Sequence, residues 1–151
     1  MPTIQRLSGH AITPYIDDLA RLRIAIFRDF PYLYDGSLAY EADYLRHYSA
    51  TPESVIVVVQ DEGRIVGAST GMPLVHADPA FQRPFIEEGY DVARIFYFGE
   101  SVLEAAYRGR GLGVRFFAER EAHARQIGRF DLAAFCAVER PADHPARPVD
   151  Y

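Results

Sequence analysis

The chain has no lysine, no tryptophan, one cysteine and two methionines in 151 residues. Without lysine there is no Walker loop, whose G-x-x-x-x-G-K-[ST] pattern brings a lysine to the phosphates. A single cysteine, Cys136, excludes an internal disulfide framework and reads as a small core residue. No His/Cys cluster has ligand spacing, so no metal site is expected. No apolar run approaches about 18 residues, so no membrane-spanning helix and no membrane partner are expected. The opening stretch Met1-Pro2-Thr3-Ile4-Gln5-Arg6 lacks the apolar core of a signal peptide. The cytoplasm is the compartment these absences favour. The net charge of -5 leaves no broad basic footprint for nucleic acid. The length fits one domain with a substantial core.

What the chain does carry is a glycine-rich stretch, Tyr107-Arg108-Gly109-Arg110-Gly111-Leu112-Gly113. It follows an apolar run over 94–103 and precedes a helical pattern over 111–127, so the order is strand, turn, helix. A helix start leaves about four backbone N–H groups without intrahelical partners and carries partial positive charge. Glycines let that backbone approach a ligand closely. Arginines add forked donors that suit phosphate. Together these features propose a diphosphate cradle. The dinucleotide fingerprint G-x-G-x-x-G is matched only in its first half, because Val114 stands where its last glycine belongs.

The rest of the chain reads as alternating elements. Residues 3–12 form a short first strand. Thr13-Pro14 starts a helix, with Thr13 as N-cap and proline at the first helical position. Ile16, Leu19, Leu22 and Ile26 carry it to residues 27–29, and Pro31 stops it. An aromatic loop ending in Asp35-Gly36 leads to a second helix over 39–49. Tyr40, Tyr44, Leu45 and Tyr48 share one side of that helix, as core or as substrate wall. Val55-Ile56-Val57-Val58-Val59 anchors a strand over 54–60. Asp61-Glu62-Gly63 turns it into a return strand over 64–72, where Gly67 and Gly71 weaken the strand or mark bulges. A short helix over 79–88 is inserted before the strand 94–104. The helix 111–127 places Leu112, Gly113, Phe116, Phe117, His123, Ala124 and Ile127 on one side. Arg120 falls inside that stripe, which calls for snorkelling or a buried acidic partner. His123 on that face reads as a packed, hydrogen-bonded histidine, and Gly128 fits a C-cap. Residues 132–138 form a last strand, and the proline-rich 139–151 is loop.

Arg108-Gly109-Arg110-Gly111-Leu112-Gly113 also fits [QR]-x-x-G-x-[GA]. With the strand before it and the helix after it, this turn resembles the acyl-CoA signature of the GNAT superfamily of N-acetyltransferases. The chain order β-α-α-β-β-β-α-β, apart from the inserted short helix, is similar to that fold up to its fifth strand. The resemblance covers nearly all of the chain. It implies an α+β, three-layer fold with a mixed, mostly antiparallel sheet and helices on both faces. It implies acetyl-CoA as co-substrate. The backbone of Ser101, Val102 and Leu103 would face pantetheine in a gap between splayed strands. Arg108, Gly109, Arg110, Gly111, Leu112, Gly113 and Val114 would hold the pyrophosphate. Family members usually continue with another helix and two strands. This sequence ends after the fifth strand, either as a truncated product or as a domain completed by another chain, a homodimer included.

The implied reaction is attack of an amine on a thioester. It needs a base for the amine proton, a donor to the thioester carbonyl, and reactants held in line. Glu100, three residues before Leu103, is the candidate base, with Phe98 and Val102 flanking it to raise its proton affinity by desolvation. Glu104, nearer the turn, is the solvated second choice. Tyr32, Tyr34, Asp35 and Phe98 are the candidate acceptor contacts, and the acidic, aromatic loop favours a small cationic amine. A non-catalytic CoA-binding sensor is the alternative, since the glycine turn serves both.

Overall fold

A computed structural model describes residues 1–149. Strands β1 (Thr3–Leu7), β2 (Val55–Asp61), β3 (Arg64–Pro73), β4 (Ile95–Leu103) and β5 (Leu132–Ala134) form one sheet in sequence order. The first four are antiparallel neighbours, and β5 runs parallel to β4. Helices α1 (Ile16–Phe27) and α2 (Leu38–Ala50) cover one face, and α4 (Leu112–Ile127) covers the other. The inserted helix α3 (Pro79–Glu87) joins β3 to β4 and buries no residue.

Period-two alternation in β2 explains the layering. Ile56 and Val58 enter the core under α1 and α2 with Leu19, Leu45 and Met72. Val55, Val57 and Val59 enter the core under α4 with Phe96, Leu112 and Phe116. A strand buried on both faces reads as an unbroken apolar run, which is what the sequence has here.

Several boundaries differ from the expectations, each for a local reason. The first strand ends at Leu7, and a 3-10 segment, Gly9–Tyr15, precedes α1. Thr13 does not cap α1; its hydroxyl bonds to Ser49 Oγ at 2.6 Å and ties that segment to α2. Ser37 caps α2 instead, accepting from the Tyr40 N–H. The last strand stops at Ala134 rather than continuing to 138, and Phe135 turns to pack edge-on against Phe117. Cys136 is exposed, not a core residue. Residues 135–149 are irregular, and Arg140 donates to the carbonyls of Pro31 and Tyr32. Of the loop expected over 139–151, Asp150 and Tyr151 lie outside the described residues.

Two bulges interrupt the sheet, each beside a glycine of β3. Val59 pairs with Gly67 and Gln60 with Ile65, so Val66 is the extra residue. Ser69 pairs with Ser101 but Gly71 with Phe98, so Gly99 and Glu100 together oppose Thr70. An extra residue in one strand reverses which face later side chains point to. Before the second bulge Phe96 and Phe98 lie under α4; after it Val102 lies under α1 and α2.

Candidate active site

The bulge decides where Glu100 points. Strict alternation would leave it beside Phe98 under α4. The extra residue turns it to the opposite face, where Tyr44 Oη donates to its Oε1 at 2.7 Å and Thr70 Oγ1 to its Oε2 at 2.8 Å. Arg23 NH1 lies 2.9 Å from the same Oε2. The Thr70 hydroxyl in turn accepts from the Glu100 N–H at 3.1 Å and from Tyr48 Oη at 3.2 Å. A side chain on Gly99 would not fit here, because its Cβ would sit 2.2 Å from Thr70 Oγ1 and 2.9 Å from Tyr48 Oη.

Arg23 carries a second carboxylate. Its Nε donates to Glu41 Oε2 at 2.5 Å, and the guanidinium lies over the Tyr44 ring at 4.4 Å. Side-chain exposure is 7% for Arg23 and 1% for Glu41, but 25% for Glu100. One cation and two carboxylates therefore share a buried site, and Glu100 is the member that reaches the surface.

Burial alone pushes the Glu100 carboxyl up. The Arg23 charge and the hydrogen bonds from Tyr44, Arg23 and Thr70 outweigh it together and hold the carboxyl below its ordinary value. This reverses the expected direction. Phe98 is on the other face, whereas Val102 shares the Glu100 face with Leu19, Leu45 and Ile56; the burial they impose is outweighed by the charge and hydroxyls that reach the carboxylate. Burial pushes the Tyr48 phenol up to about 12, with the Glu100 charge adding to it. Tyr44 is raised well above its ordinary value by the same causes, burial first. Both phenols stay protonated near neutral pH and act as donors.

The glycine turn lies at the end of the same strand. Gly109 and Gly111 have φ of 76° and 80°, the left-handed region that only glycine enters freely. Gly111 is the N-cap of α4 and supplies no side-chain cap. The first intrahelical bond runs from the Arg115 N–H to the Gly111 carbonyl, so the N–H groups of Leu112, Gly113 and Val114 have no acceptor within the helix. A Cβ built on Gly109, Gly111 or Gly113 would meet nothing within 4 Å, so space lies open above all three. Arg108 Nε is anchored on the Leu103 carbonyl at 2.9 Å and Arg110 on the Ala106 carbonyl at 3.1 Å. Tyr107 Oη donates to Asp61 at 2.6 Å and fixes the turn against the β2–β3 hairpin.

Between turn and bulge, β4 is bare. Its pairing with β5 covers only residues 95–97 against 132–134, clasped by the Arg94–Asp131 ion pair. Beyond that the outer edge of β4 has no partner strand among the described residues. A cavity of about 320 Å³ opens there. Ser101, Leu103 and Arg108 line it from the strand and turn, Gly113 and Phe116 from α4, and Asp29 and Tyr32 from the loop after α1. An exposed strand edge offers backbone donors and acceptors to an extended ligand, and the free amides of the helix start lie at one end of that edge.

The sequence model of the Acetyltransferase (GNAT) family matches residues 19–149. The chain belongs to the GNAT family of acetyltransferases. Solved structures share the fold. An aminoglycoside N-acetyltransferase in complex with CoA is 10% identical with a TM-score of 0.66, covering 91% of this chain and 78% of its own. An aminoglycoside acetyltransferase from an uncultured soil metagenomic sample, in complex with sisomicin, is 17% identical with a TM-score of 0.59 at the same coverages. A ribosomal-protein-alanine N-acetyltransferase from Brucella melitensis biovar Abortus 2308 is 14% identical with a TM-score of 0.58, covering 95% and 85%. At these identities the likeness is one of fold. Comparison with curated protein sequences gives no match.

Within this GNAT chain the sequence-derived residues divide. Ser101, Leu103, Arg108, Gly113 and Tyr32 meet at one cavity. The Val102 side chain is buried under α1 and α2, which leaves only its backbone for the strand edge. Tyr34 and Asp35 are exposed, with Tyr34 beside Tyr40 at 6.4 Å between ring centres. Phe98 is buried under α4 with the Arg120 guanidinium 4.7 Å from its ring, away from Glu100. Glu104 pairs with Arg64 at 2.5 Å, outside the cavity. Arg23, Glu41 and Thr70 were not foreseen. A signal existed for the first two: Arg23 follows Leu19 by four residues inside the apolar stripe of α1, and Glu41 precedes Leu45 and Tyr48 by four and seven on the buried face of α2. Nothing in the sequence near Thr70 announces its role, because that role depends on a bulge in another strand.

Proposed function

We propose that this GNAT acetyltransferase transfers the acetyl group of acetyl-CoA to the primary amine of a small or amino-acid-like cationic acceptor, by direct attack. The observation that carries the reading is the placement of Glu100. Its partly exposed carboxylate stands at the bulge of β4, on the strand whose bare edge leads into the open glycine turn. The pyrophosphate of CoA fits the free amides of Leu112, Gly113 and Val114 and the charge of Arg108 and Arg110; Gly109 and Gly111 keep side chains out of its way. The backbone edge of Ser101, Val102 and Leu103 suits the amide-bearing pantetheine arm. The cluster's surplus negative charge attracts an ammonium, and Tyr32, Tyr34 and Asp35 lie on the loop nearest the cavity.

In the reaction the amine nitrogen bonds to the thioester carbonyl carbon as the carbon–sulfur bond breaks. The bound ammonium first gives one proton to the Glu100 carboxylate, directly or through one water, which frees the nitrogen lone pair for this attack. The second nitrogen proton leaves as the amide forms and goes to the departing thiolate, which is released as CoA, and Glu100 returns its proton to solvent. Glu100 is ionised at neutral pH, so it is ready to accept. Its lowered proton affinity makes it a modest base, and each unit of lowering costs about 1.4 kcal/mol of driving force.

The test is thiol release from acetyl-CoA with two acceptors, sisomicin and a peptide beginning with alanine. Glu100→Gln should lower turnover by ~10²–10⁴, the usual contribution of a positioned base, while CoA affinity stays the same. Unchanged turnover in Glu100→Gln on a competent acceptor would remove Glu100 from the chemistry.

A further inference from the structure

Arg23 has more carboxylate than it needs. A buried guanidinium is neutralised by one carboxylate, yet both Glu41 and Glu100 sit on it, at 2.5 and 2.9 Å. The Glu41 carboxylate has 1% exposure against 25% for Glu100, so it does not touch a bound acceptor. A structural tie between α1 and α2 would explain an Arg23–Glu41 pair on its own. It does not explain why the same arginine is stretched to β4.

We infer that Glu41 is a positioning residue for acetyl transfer: by claiming part of Arg23's charge, it keeps Glu100 basic enough to take the amine proton and leaves the site with one surplus negative charge. The inference rests on the reading of Glu100 as the base. Its logic is electrostatic. Paired with Glu100 alone, Arg23 would form a neutral ion pair, with little attraction for an ammonium and a carboxylate of very low proton affinity. A second carboxylate on the same guanidinium repels the first and offsets part of that effect. With only 1% of Glu41 exposed, water screens that repulsion little. The other groups around Glu100 cannot substitute. Tyr44 and Thr70 donate to it and favour its charged form, as does Arg23. Tyr48 donates to Thr70, Tyr97 lies on the same strand as a neutral phenol, and Arg120 is a cation under the opposite face. Among the described residues, Glu41 is the carboxylate that shares Arg23 with Glu100 and so stands against them.

The test is the Glu100 titration, followed by carbon-13 NMR of the side-chain carboxyl in the full chain, which needs no acceptor. Glu41→Gln keeps shape and one acceptor for Arg23 but removes the charge; the Glu100 midpoint should fall by roughly one pH unit, or below the pH at which the variant unfolds. Tyr44→Phe removes a donor to the carboxylate and should move the midpoint up. The opposed signs separate this from general loosening, which would move both variants toward the ordinary value. A Glu41→Gln midpoint equal to or above the wild-type one overturns the inference. Acetyl-CoA turnover with sisomicin then tests its link to catalysis, with several-fold lower kcat and unchanged CoA affinity expected in Glu41→Gln. If the midpoint falls but Glu41→Gln keeps full turnover while Glu100→Gln loses it, the positioning role is overturned and Glu100 stands as base; if Glu100→Gln also keeps full turnover, it is Glu100 as base that falls.

Discussion

Two buried arginines approach the bulge of β4 from opposite faces of the sheet, and they are solved in opposite ways. Arg23, from α1, meets two carboxylates; burial works against its charge, but Glu100, Tyr44 and Glu41 more than compensate, and its pKa is raised. Arg120, from α4, is 1% exposed and forms no ion pair among the described residues. It donates to the carbonyls of Thr70 and Phe116 and to Ser101 Oγ, and lies 4.7 Å from the ring centres of both Phe98 and Phe117. Burial pulls its pKa down to about 10, with Tyr48 and Glu100 pulling the other way. Arg120 neither snorkels to the surface nor finds an acidic hydrogen-bond partner among the described residues, contrary to what its place in the apolar stripe suggests. Carbonyl dipoles and ring faces hold its charge instead. The comparison teaches that a buried charge is expensive to orphan when its partner is an ion and cheap to delete when its partners are dipoles.

The largest effect should come from breaking the ionic side. Arg23→Met leaves Glu41 and Glu100 buried without a cation and should cost about 3–5 kcal/mol of stability by urea denaturation at neutral pH. Its pH dependence has a definite sign. In the wild type Glu100 has a folded pKa below its ordinary 4.5, so its contribution is present above that value and lost as pH falls through the lower one. In the variant the Arg23 charge and hydrogen bond are gone and only Tyr44 and Thr70 still oppose desolvation, so the folded Glu100 carboxyl rises from its wild-type value and acidification costs the variant less than the wild type. The gap between variant and wild type should therefore narrow from pH 7 to pH 4. A gap that stays constant would show that Arg23 acts by packing alone.

A smaller effect is expected where the two sides meet. Gly99→Ala places a methyl on top of the Thr70 hydroxyl and should cost about 1–3 kcal/mol, the usual range for overpacking a filled core. It should also disturb the Glu100 titration, since Thr70 can no longer donate from the same place. A neutral Gly99→Ala would mean that the hydroxyl network has slack.

The smallest effect should come from the dipolar side. Arg120→Met removes a desolvated charge, but it also takes the donors from the Thr70 carbonyl and Ser101 Oγ; gain and loss offset in part, and stability should fall by about 1 kcal/mol. A loss as large as that of Arg23→Met would erase the distinction between the two arginines.

Much of this protein was legible in the chain itself. The valine run of β2, the Asp61-Glu62-Gly63 turn, the inserted helix at Pro79 and the glycine turn before α4 rest on local physics: β-branching, positive φ, capping and periodicity act within a few residues. Both turn residues Glu62 and Gly63 do adopt positive φ, and Gly128 does close α4 in the left-handed region. The family signature is local for the same reason, since a phosphate cradle is a run of consecutive amides. What only the tertiary structure decided is the face that Glu100 occupies and the company it keeps. One extra residue in β4, opposite Thr70, turns that carboxylate from the face of Phe98 and Arg120 to the face of Arg23, Tyr44 and Thr70, whose charge and donors lower its pKa. Arg23 and Glu41 reach it from 77 and 59 positions earlier in the chain. Pairing register and long-range ion pairs depend on how distant elements pack, and no window of neighbouring residues contains that information.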